Sequence, residues 1–159
     1  MELTLLTPKF TLVPSQFFDP ASARDVLGEV VTLEGQDEVR FVEIEQYQAV
    51  LVYSGISGEV DTLPEMFCIL RDLSRCGEYN KVLCTWMDGL LFIAIAQGHN
   101  LLLANAYKAA DFTTAQYYIF LALKSLQLNP EVTTICWRTP IGTDEEMSLY
   151  RYFKSVEQL

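Results

Sequence analysis

Two very short links between β-prone segments constrain the fold of this chain more than any other feature of its sequence. Asp88-Gly89 separates the apolar runs 81–87 and 90–96, and residues 98–100 separate the second run from 101–107. Asp-Gly is a strong hairpin signal, because both central residues of a type I′ turn need a positive φ angle. Links of two or three residues leave no room for a crossover, so the three strands are predicted to form an antiparallel meander.

A helix, a strand and a second helix are predicted after this meander. Apolar residues occupy most of the circumference of 114–128, which begins at a capping box of Thr113 and Gln116. The strand 132–137 follows a helix and is expected to pair parallel with an earlier strand. The last helix begins at another capping box, Thr143 with Glu146. It is expected to bury residues spaced at i, i+3, i+4 and i+7: Leu149, Tyr152, Phe153 and Val156.

Shorter elements are predicted in the first half of the chain. Its β-prone segments are 3–6, 10–13, 39–44 and 49–53. Asp19 and Pro20 are the residue types of an N-cap and a first helical position, and they predict a helix over 21–30. A further helix is expected to start at a capping box of Thr62 and Glu65 and to end near Gly77.

The charge of the chain is acidic and unevenly distributed. The 159 residues carry a formal net charge of -10, with 14 acidic and 5 basic residues in 1–78 but 7 and 6 in 79–159. Nucleic acid and anionic membranes are excluded as expected partners, because both are bound through clustered Lys and Arg. We expect the nearly neutral second half to be buried against another surface. The change in charge sets an acidic first half, 1–78, apart from a second half, 79–159.

The cysteines and the N-terminus indicate a cytoplasmic protein. None of the four cysteines, Cys68, Cys76, Cys84 and Cys136, has the spacing of a zinc site, and we expect buried free thiols. The N-terminus has no basic segment followed by an apolar one, so no signal peptide is predicted. The most apolar segment, 90–96, is too short to span a bilayer.

Three meander strands followed by helix, strand and helix is the element order of ribonuclease H-like and actin-like ATPase domains. A permuted ferredoxin-like fold is the alternative. Because this inference is by analogy of fold, it carries no statement about activity.

Two segments of the chain resemble a family of uncharacterised Bacteroidetes proteins. They are 10–18, with the sequence FTLVPSQFF, and 105–112, with the sequence NAYKAADF, followed by Tyr117-Tyr118. The resemblance extends over most of the chain. It implies an α/β, actin-like ATPase (ribonuclease H-like) fold, with a smaller, partial and acidic α/β first lobe over 1–78 and a βββαβα second half, the ribonuclease H-like lobe, over 79–159. Members of that family have no assigned activity and are longer, with further strands upstream. This chain therefore looks like the back two-thirds of such a protein, in which the first lobe is either reduced or truncated.

The actin-like resemblance raises the question of a phosphate site. Such ATPases hold phosphate with the backbone N–H groups of a Gly-rich hairpin that follows an Asp. Asp88 and Gly89 are the candidates here, and a purely structural hairpin turn is the alternative. Gly55 and Gly58 lie in a second candidate loop, which has acidic neighbours at 59 and 61 and no nearby Lys, as a plain connection would.

Other residues give weaker evidence for a catalytic or binding site. A ribonuclease H-type nuclease needs converging carboxylates, but 114–128 and 132–139 contain no acidic residue, which argues against it. The sole histidine, His99, is interpreted as a turn residue and Asp111 as part of a helix start. Trp137 is expected in the core and, with Arg138, is alternatively an interface pair. One acidic group is interpreted as solvated charge or as a surface for a basic partner: Glu29, Glu34, Asp37, Glu38, Glu43 and Glu45.

These observations favour a non-catalytic protein-interaction or regulatory module on a degenerate actin-like ATPase fold. The alternative is an ATP-binding protein of the same fold class. We expect no cofactor or metal, and a partner that is either another protein or a second copy of the chain.

Overall fold

The computed structural model describes residues 3–55 and 62–159. The chain divides into two compact units, 1–68 and 69–159, and each unit contains one β-sheet. Helix α2, Glu65–Asp72, crosses this division and is followed by a 3-10 turn over Leu73–Arg75.

The first unit contains a three-stranded antiparallel sheet in the order β1-β3-β2. The strands are β1 Phe10–Pro14, β2 Glu38–Ile44 and β3 Ala49–Gly55, as the sequence predicted to within one or two residues. Strand β3 is central and almost wholly buried, whereas β2 is half exposed. Helix α1, Ala23–Gly28, places Leu27 against Val50 and Val52 of β3 and closes this small core.

Three predictions for the first unit are corrected. Residues 3–6 do not form a strand, and Leu5 makes only an isolated bridge to Pro64. Asp19 does accept a hydrogen bond from the Ala21 amide at 3.0 Å, but the turn that follows is 3-10 and α1 has only six residues. Helix α2 begins at Glu65 itself, and the Glu65 amide, which a Thr62 capping box would use, donates instead to the Leu5 carbonyl at 2.9 Å.

The second unit contains a five-stranded sheet in the order β6-β5-β4-β7-β8. The predicted meander is β4 Asn80–Met87, β5 Leu90–Gln97 and β6 Asn100–Lys108, and its pairing is antiparallel as expected. Helix α3, Phe112–Ser125, leads to β7, Thr134–Trp137, which pairs parallel with β4. Helix α4, Thr143–Tyr150, leads to β8, Ser155–Gln158, which pairs parallel with β7.

The central strands of this sheet are buried on both faces. On one face, Val82, Ile93 and Trp137 form a core with residues of α3 and α4, including Ile119 and Leu149. The alternate residues on the opposite face are also buried: Lys81, Leu83, Phe92, Ala94 and Cys136. Burial on both faces explains why β4 and β5 are continuously apolar instead of alternating.

The two helices of the second unit begin and end differently from the sequence prediction. Asp111, and not Thr113, is the N-cap of α3, and its carboxylate accepts from the Thr114 amide at 2.8 Å. Thr143 is the first residue of α4 and makes no cap, because Gly142 holds that position. The helix ends at Tyr150, and Val156 lies in β8, paired with Ile135. The apolar spacing that suggested one long helix therefore covers a helix, a turn and a strand.

Candidate functional site

Asp88 and Gly89 form the hairpin turn between β4 and β5. Their φ angles are 52° and 74°, as a type I′ turn requires at both central positions. The Gly89 carbonyl accepts from the Ala109 amide at 2.8 Å, which ties the turn to the segment before α3. Both residues are exposed. Their residue types are thus accounted for by the backbone of the hairpin.

Gly55, the second candidate for a phosphate loop, is the last residue of β3 and pairs with Glu38. A β-carbon at this glycine would lie 2.7 Å from Nη1 of Arg40, so the guanidinium group lies directly over the backbone. Gly58, together with its acidic neighbours at 59 and 61, lies outside the described residues. Gly55 belongs to the first unit and the Asp88-Gly89 turn to the second.

The predicted acidic surface contains one residue with a structural role. Asp37 accepts hydrogen bonds from the Glu34 amide at 2.7 Å, Lys9 Nζ at 2.9 Å and Ser54 Oγ at 2.7 Å. These three donors, the amide first, hold the pKa of Asp37 far below its ordinary value. Asp37 therefore fastens the loop before β2 to β3.

A carboxylate–guanidinium cluster in the second unit was not predicted from the sequence. Asp72 is bonded by Arg138 and by Nε of Arg71 at 2.9 Å, and Nη1 of Arg75 lies 3.9 Å away. Burial works to raise the pKa of Asp72, but the hydrogen bonds and charges of Arg71 and Arg138 outweigh it and the pKa is lowered. The only sequence signal was a charged residue, Arg138, directly after a buried strand.

A second unpredicted cluster contains two of the four buried cysteines. The thiol of Cys76 is in hydrogen-bonding contact with Cys136, whose Sγ lies 3.9 Å from Oε2 of Glu157. The contact with Cys136 lowers the pKa of Cys76; burial acts against this shift and the charge of Lys81 adds to it. The same contact raises the pKa of Cys136, and burial raises it further. In the described ranges, no three acidic, cysteine or histidine side chains are placed to hold a metal ion.

The first unit contains an open cavity of about 480 Å³ at one end of its sheet. Its lining is polar and includes two carboxylates: Pro14, Ser15, Gln16, Glu43, Glu45, Tyr47 and Gln48. Ser15 Oγ is buried there and has no hydrogen-bond partner among the described residues. Such a lining is suited to hydroxyl or cationic groups and is unsuited to phosphate.

The clearest exposed feature of the second unit lies at the free edge of β6. Helix α3 contacts this strand, and the Tyr107 and Tyr118 rings stack with centroids 4.5 Å apart. Tyr117 packs edge-on against Tyr118 at 5.4 Å. Large apolar side chains remain in solvent beside the edge: Leu102 is 38%, Tyr117 60% and Leu121 44% exposed. We define the edge surface as β6 together with Tyr117, Tyr118 and Leu121.

The main chain of β6 presents hydrogen-bonding groups along this edge. In the part of the chain that the structure describes, β6 pairs only with β5. The Ala109 amide points towards β5, since it donates to Gly89, and strand amides alternate in direction. The N–H and C=O groups of Ala104, Ala106 and Lys108 therefore point away from the sheet. Between 101 and 107, β6 has no charged side chain.

Comparison with known proteins supports the fold and leaves the activity open. None of the curated proteins matches this chain. A crystal structure from Bacteroides thetaiotaomicron, of a protein with an actin-like ATPase fold and unknown function, superposes with a TM-score of 0.79 at 15% sequence identity. The match covers 97% of this chain and 66% of that one. The predicted actin-like α/β fold is confirmed, with β8 added at its end.

Among the described residues, none of the helices combines the length and the apolar character needed to cross a bilayer.

A family model described as protein of unknown function, DUF3822, matches residues 2–156. The chain therefore belongs to the DUF3822 family.

Proposed function

We propose that this chain is a non-catalytic protein-interaction module on an actin-like ATPase fold, and that it binds its partner through the edge surface. One observation carries the proposal. The outward main-chain groups of Ala104, Ala106 and Lys108 have no strand partner in the described structure, and they lie beside exposed apolar side chains of α3. A strand of this kind is a template for a strand from another chain, because hydrogen bonds add along its edge.

The side chains of β6 support the same function. Monomeric proteins commonly protect a sheet edge with inward-pointing charges, proline, a bulge or a very short strand. The register of β6 with β5 shifts at Leu102, so the edge is regular from Leu103 to Lys108. The outer positions Ala104 and Ala106 carry small side chains, and Lys108 stands only at the end of the strand. A partner strand therefore meets no steric or electrostatic obstacle over most of the edge.

The Asp88-Gly89 turn favours interaction over ATP binding. Both residues adopt the positive φ angles that a type I′ turn requires, so the hairpin alone accounts for an Asp followed by a Gly at these positions. The backbone conformation of the hairpin thus explains the two residues that suggested a phosphate site.

Site-specific photocrosslinking in the native host tests the proposal directly. A photoreactive phenylalanine analogue at Leu121 or Asn105 is expected to give one discrete adduct, since both side chains are exposed on the edge surface. The matched control is the same analogue at Glu131, an exposed residue elsewhere in the second unit. Equal labelling at all three positions, or no adduct at any, contradicts an interaction through this surface.

A titration with Mg²⁺-ATP tests the alternative. The full chain is expected to show no increase in melting temperature, because the module does not use nucleotide. If the chain binds the nucleotide, a nucleotide concentration 100 times the dissociation constant raises the free energy of unfolding by about 2.7 kcal/mol. The melting temperature then rises by several degrees. A shift of that size, absent with Mg²⁺ alone, would establish the ATP-binding function instead.

A further inference from the structure

We infer that Cys76 and Cys136 form an oxidative modification site, at which a hydroperoxide joins the two thiols into a reversible disulfide. This inference is independent of the edge surface and of any partner that binds there. It rests on three observations: the two thiols are in contact, they lie just beneath the surface, and a cation lies beside one of them.

The two thiols come from segments that are far apart in the sequence. Cys76 follows the 3-10 turn Leu73–Arg75, whereas Cys136 lies within β7 and pairs with Leu83 of β4. The thiol of Cys76 contacts that of Cys136 on the face of the sheet opposite α3 and α4. A disulfide needs two cysteines whose side chains already point at each other, since otherwise the backbone has to move. This pair meets that requirement.

The other two cysteines are placed elsewhere. Cys84 lies in β4, and its side chain points to the opposite face of the sheet, into the core with Ile93 and Ile119. Cys68 is the last residue of the first unit. The structure therefore favours one pair of cysteines over the other pairings.

The cysteine pair is buried, but only just beneath the surface. Cys76 has an exposed neighbour on each side, Arg75 and Gly77. Sγ of Cys136 lies 3.9 Å from Oε2 of Glu157, an exposed residue of β8, which is an edge strand of four residues among the described ones. Opening a short edge strand at the end of a chain costs much less than global unfolding. A small oxidant such as hydrogen peroxide therefore reaches the sulfur atoms by local opening.

The groups around the pair give the two thiols different roles. The contact with Cys136 lowers the pKa of Cys76, and the charges of Lys81 and Arg75 add to this shift, whereas burial and the charge of Glu157 oppose it. Lys81 is held in place because its Nζ donates to the Cys76 carbonyl at 3.3 Å. The same contact raises the pKa of Cys136, which therefore stays a thiol. Since the thiolate is the nucleophile, Cys76 reacts with the oxidant first.

The oxidation takes place in two steps. The Cys76 thiolate attacks one oxygen of the hydroperoxide and the O–O bond breaks. Cys76 becomes a sulfenic acid, and the other oxygen takes up a proton and leaves as water or an alcohol. The Cys136 thiol then attacks the sulfenic sulfur, so that the S–S bond forms, the S–O bond breaks and the hydroxide leaves with the thiol proton as water. Two electrons have passed from the thiols to the peroxide, and a dithiol reductant reverses the change.

The disulfide reinforces a junction that is already held by charge. Arg75 precedes Cys76, and Arg138 lies two residues after Cys136; both guanidinium groups lie at the carboxylate of Asp72. A covalent bond at this junction closes the chain between 76 and 136 and restricts the unfolded state. The oxidised chain is therefore expected to melt at least about 5 °C above the reduced chain.

Peptide mapping of the full chain tests the inference. Cleavage after Lys and Arg places the four cysteines on four separate tryptic peptides: 41–71, 76–81, 82–108 and 125–138. The reduced chain is treated with hydrogen peroxide, blocked with N-ethylmaleimide in denaturant and digested without reductant. We expect peptide 76–81 linked to peptide 125–138, and loss of this species with dithiothreitol. The control is the same oxidation in urea, which is expected to give mixed pairings.

Dimedone, which traps sulfenic acids, tests the order of the two steps. Cys136→Ser is expected to accumulate the dimedone adduct at Cys76, because the thiol that resolves the sulfenic acid is gone. Cys76→Ser is expected to give no adduct at Cys136. The matched control is Cys68→Ala, which should keep the linked peptide.

The peptide map of the unmodified sequence needs no variant, so it decides the question even if a serine variant does not fold. A folded chain that gives no linked peptide, or the same mixture of pairings as the chain in urea, overturns the inference. So does an oxidised chain that melts no higher than the reduced one.

Discussion

Arg138 donates a hydrogen bond to the carboxylate of Asp72 across 66 residues of sequence, and both side chains are largely buried. The bond links the end of α2 to the residue that follows β7. The Arg138 amide also donates to the Cys84 carbonyl at 2.9 Å, which holds the same residue against β4. Arg138 thus joins the end of α2 through its side chain and β4 through its main chain.

Asp72→Ala is expected to destabilise the chain by about 3 kcal/mol, because it leaves the buried guanidinium of Arg138 without this partner. Urea denaturation followed by circular dichroism measures the change. Glu78→Ala is the control, since its ion pair with Lys154 at 3.1 Å is exposed on both sides, and a change below about 0.5 kcal/mol is expected. Equal losses in the two variants would show that burial of the Asp72 pair has no effect.

Asp37 is expected to make the stability of the chain depend on pH. Its pKa in the folded chain lies below the ordinary value of 3.8, so the stabilisation is complete well above pH 3.8 and is lost as the pH falls through and below that value. Asp37→Asn should therefore lower the melting temperature clearly at pH 7, and the difference from the wild type should shrink towards pH 2. Glu29→Gln, at an exposed residue of the same unit, is the control. A difference that does not change with pH argues against this role for Asp37.

Gly89→Ala is expected to destabilise the chain by about 1 kcal/mol, because residue 89 has a φ angle of 74° that disfavours any β-carbon. Thermal denaturation measures the loss. The matched control is Gly77→Ala in the same unit, where a β-carbon would meet no atom within 4 Å and φ lies outside the left-handed region. We expect no loss in that control, and a loss there equal to that of Gly89→Ala would contradict the turn argument.

Asp111→Ala is expected to lower the melting temperature by about 4 °C, whereas Thr113→Ala should change it by less than about 1 °C. The reason is that the Asp111 carboxylate accepts from the Thr114 amide, and this bond also lowers the pKa of Asp111. Differential scanning calorimetry of both variants compares the two caps. A larger effect of Thr113→Ala than of Asp111→Ala would instead support the Thr113 capping box that the sequence alone suggested.

The predictions that succeeded depend on neighbouring residues. The Asp88-Gly89 turn follows from the φ preferences of two adjacent residues, and the meander follows from links too short for any other connection. The parallel pairing of β7 with β4 follows from the helix between β6 and β7. The expected boundary between lobes, at 78/79, came from a change in charge, whereas the two compact units of the structure divide at 68/69.

The capping predictions failed where two or more residues competed for one position. Thr113 and Asp111 both have oxygen atoms suited to an N-cap, and a spacing rule does not rank them. Glu65 has the spacing of a capping box, but its carboxylate accepts a hydrogen bond from Thr4 Oγ1 at 2.9 Å. Its amide donates to the Leu5 carbonyl. Those partners lie about 60 residues away and do not appear in any local pattern.

The sequence by itself determined the order of the strands and helices in the second unit and its main hairpin, because each depends on residues a few positions apart. Only the tertiary structure decided that 155–158 are a strand, that Arg138 meets Asp72, and that β6 is an edge strand among the described residues. The physical reason is that these features depend on which distant segment satisfies a backbone or charged group. Whether a strand lies at the centre or the edge of a sheet is set by all the other strands together.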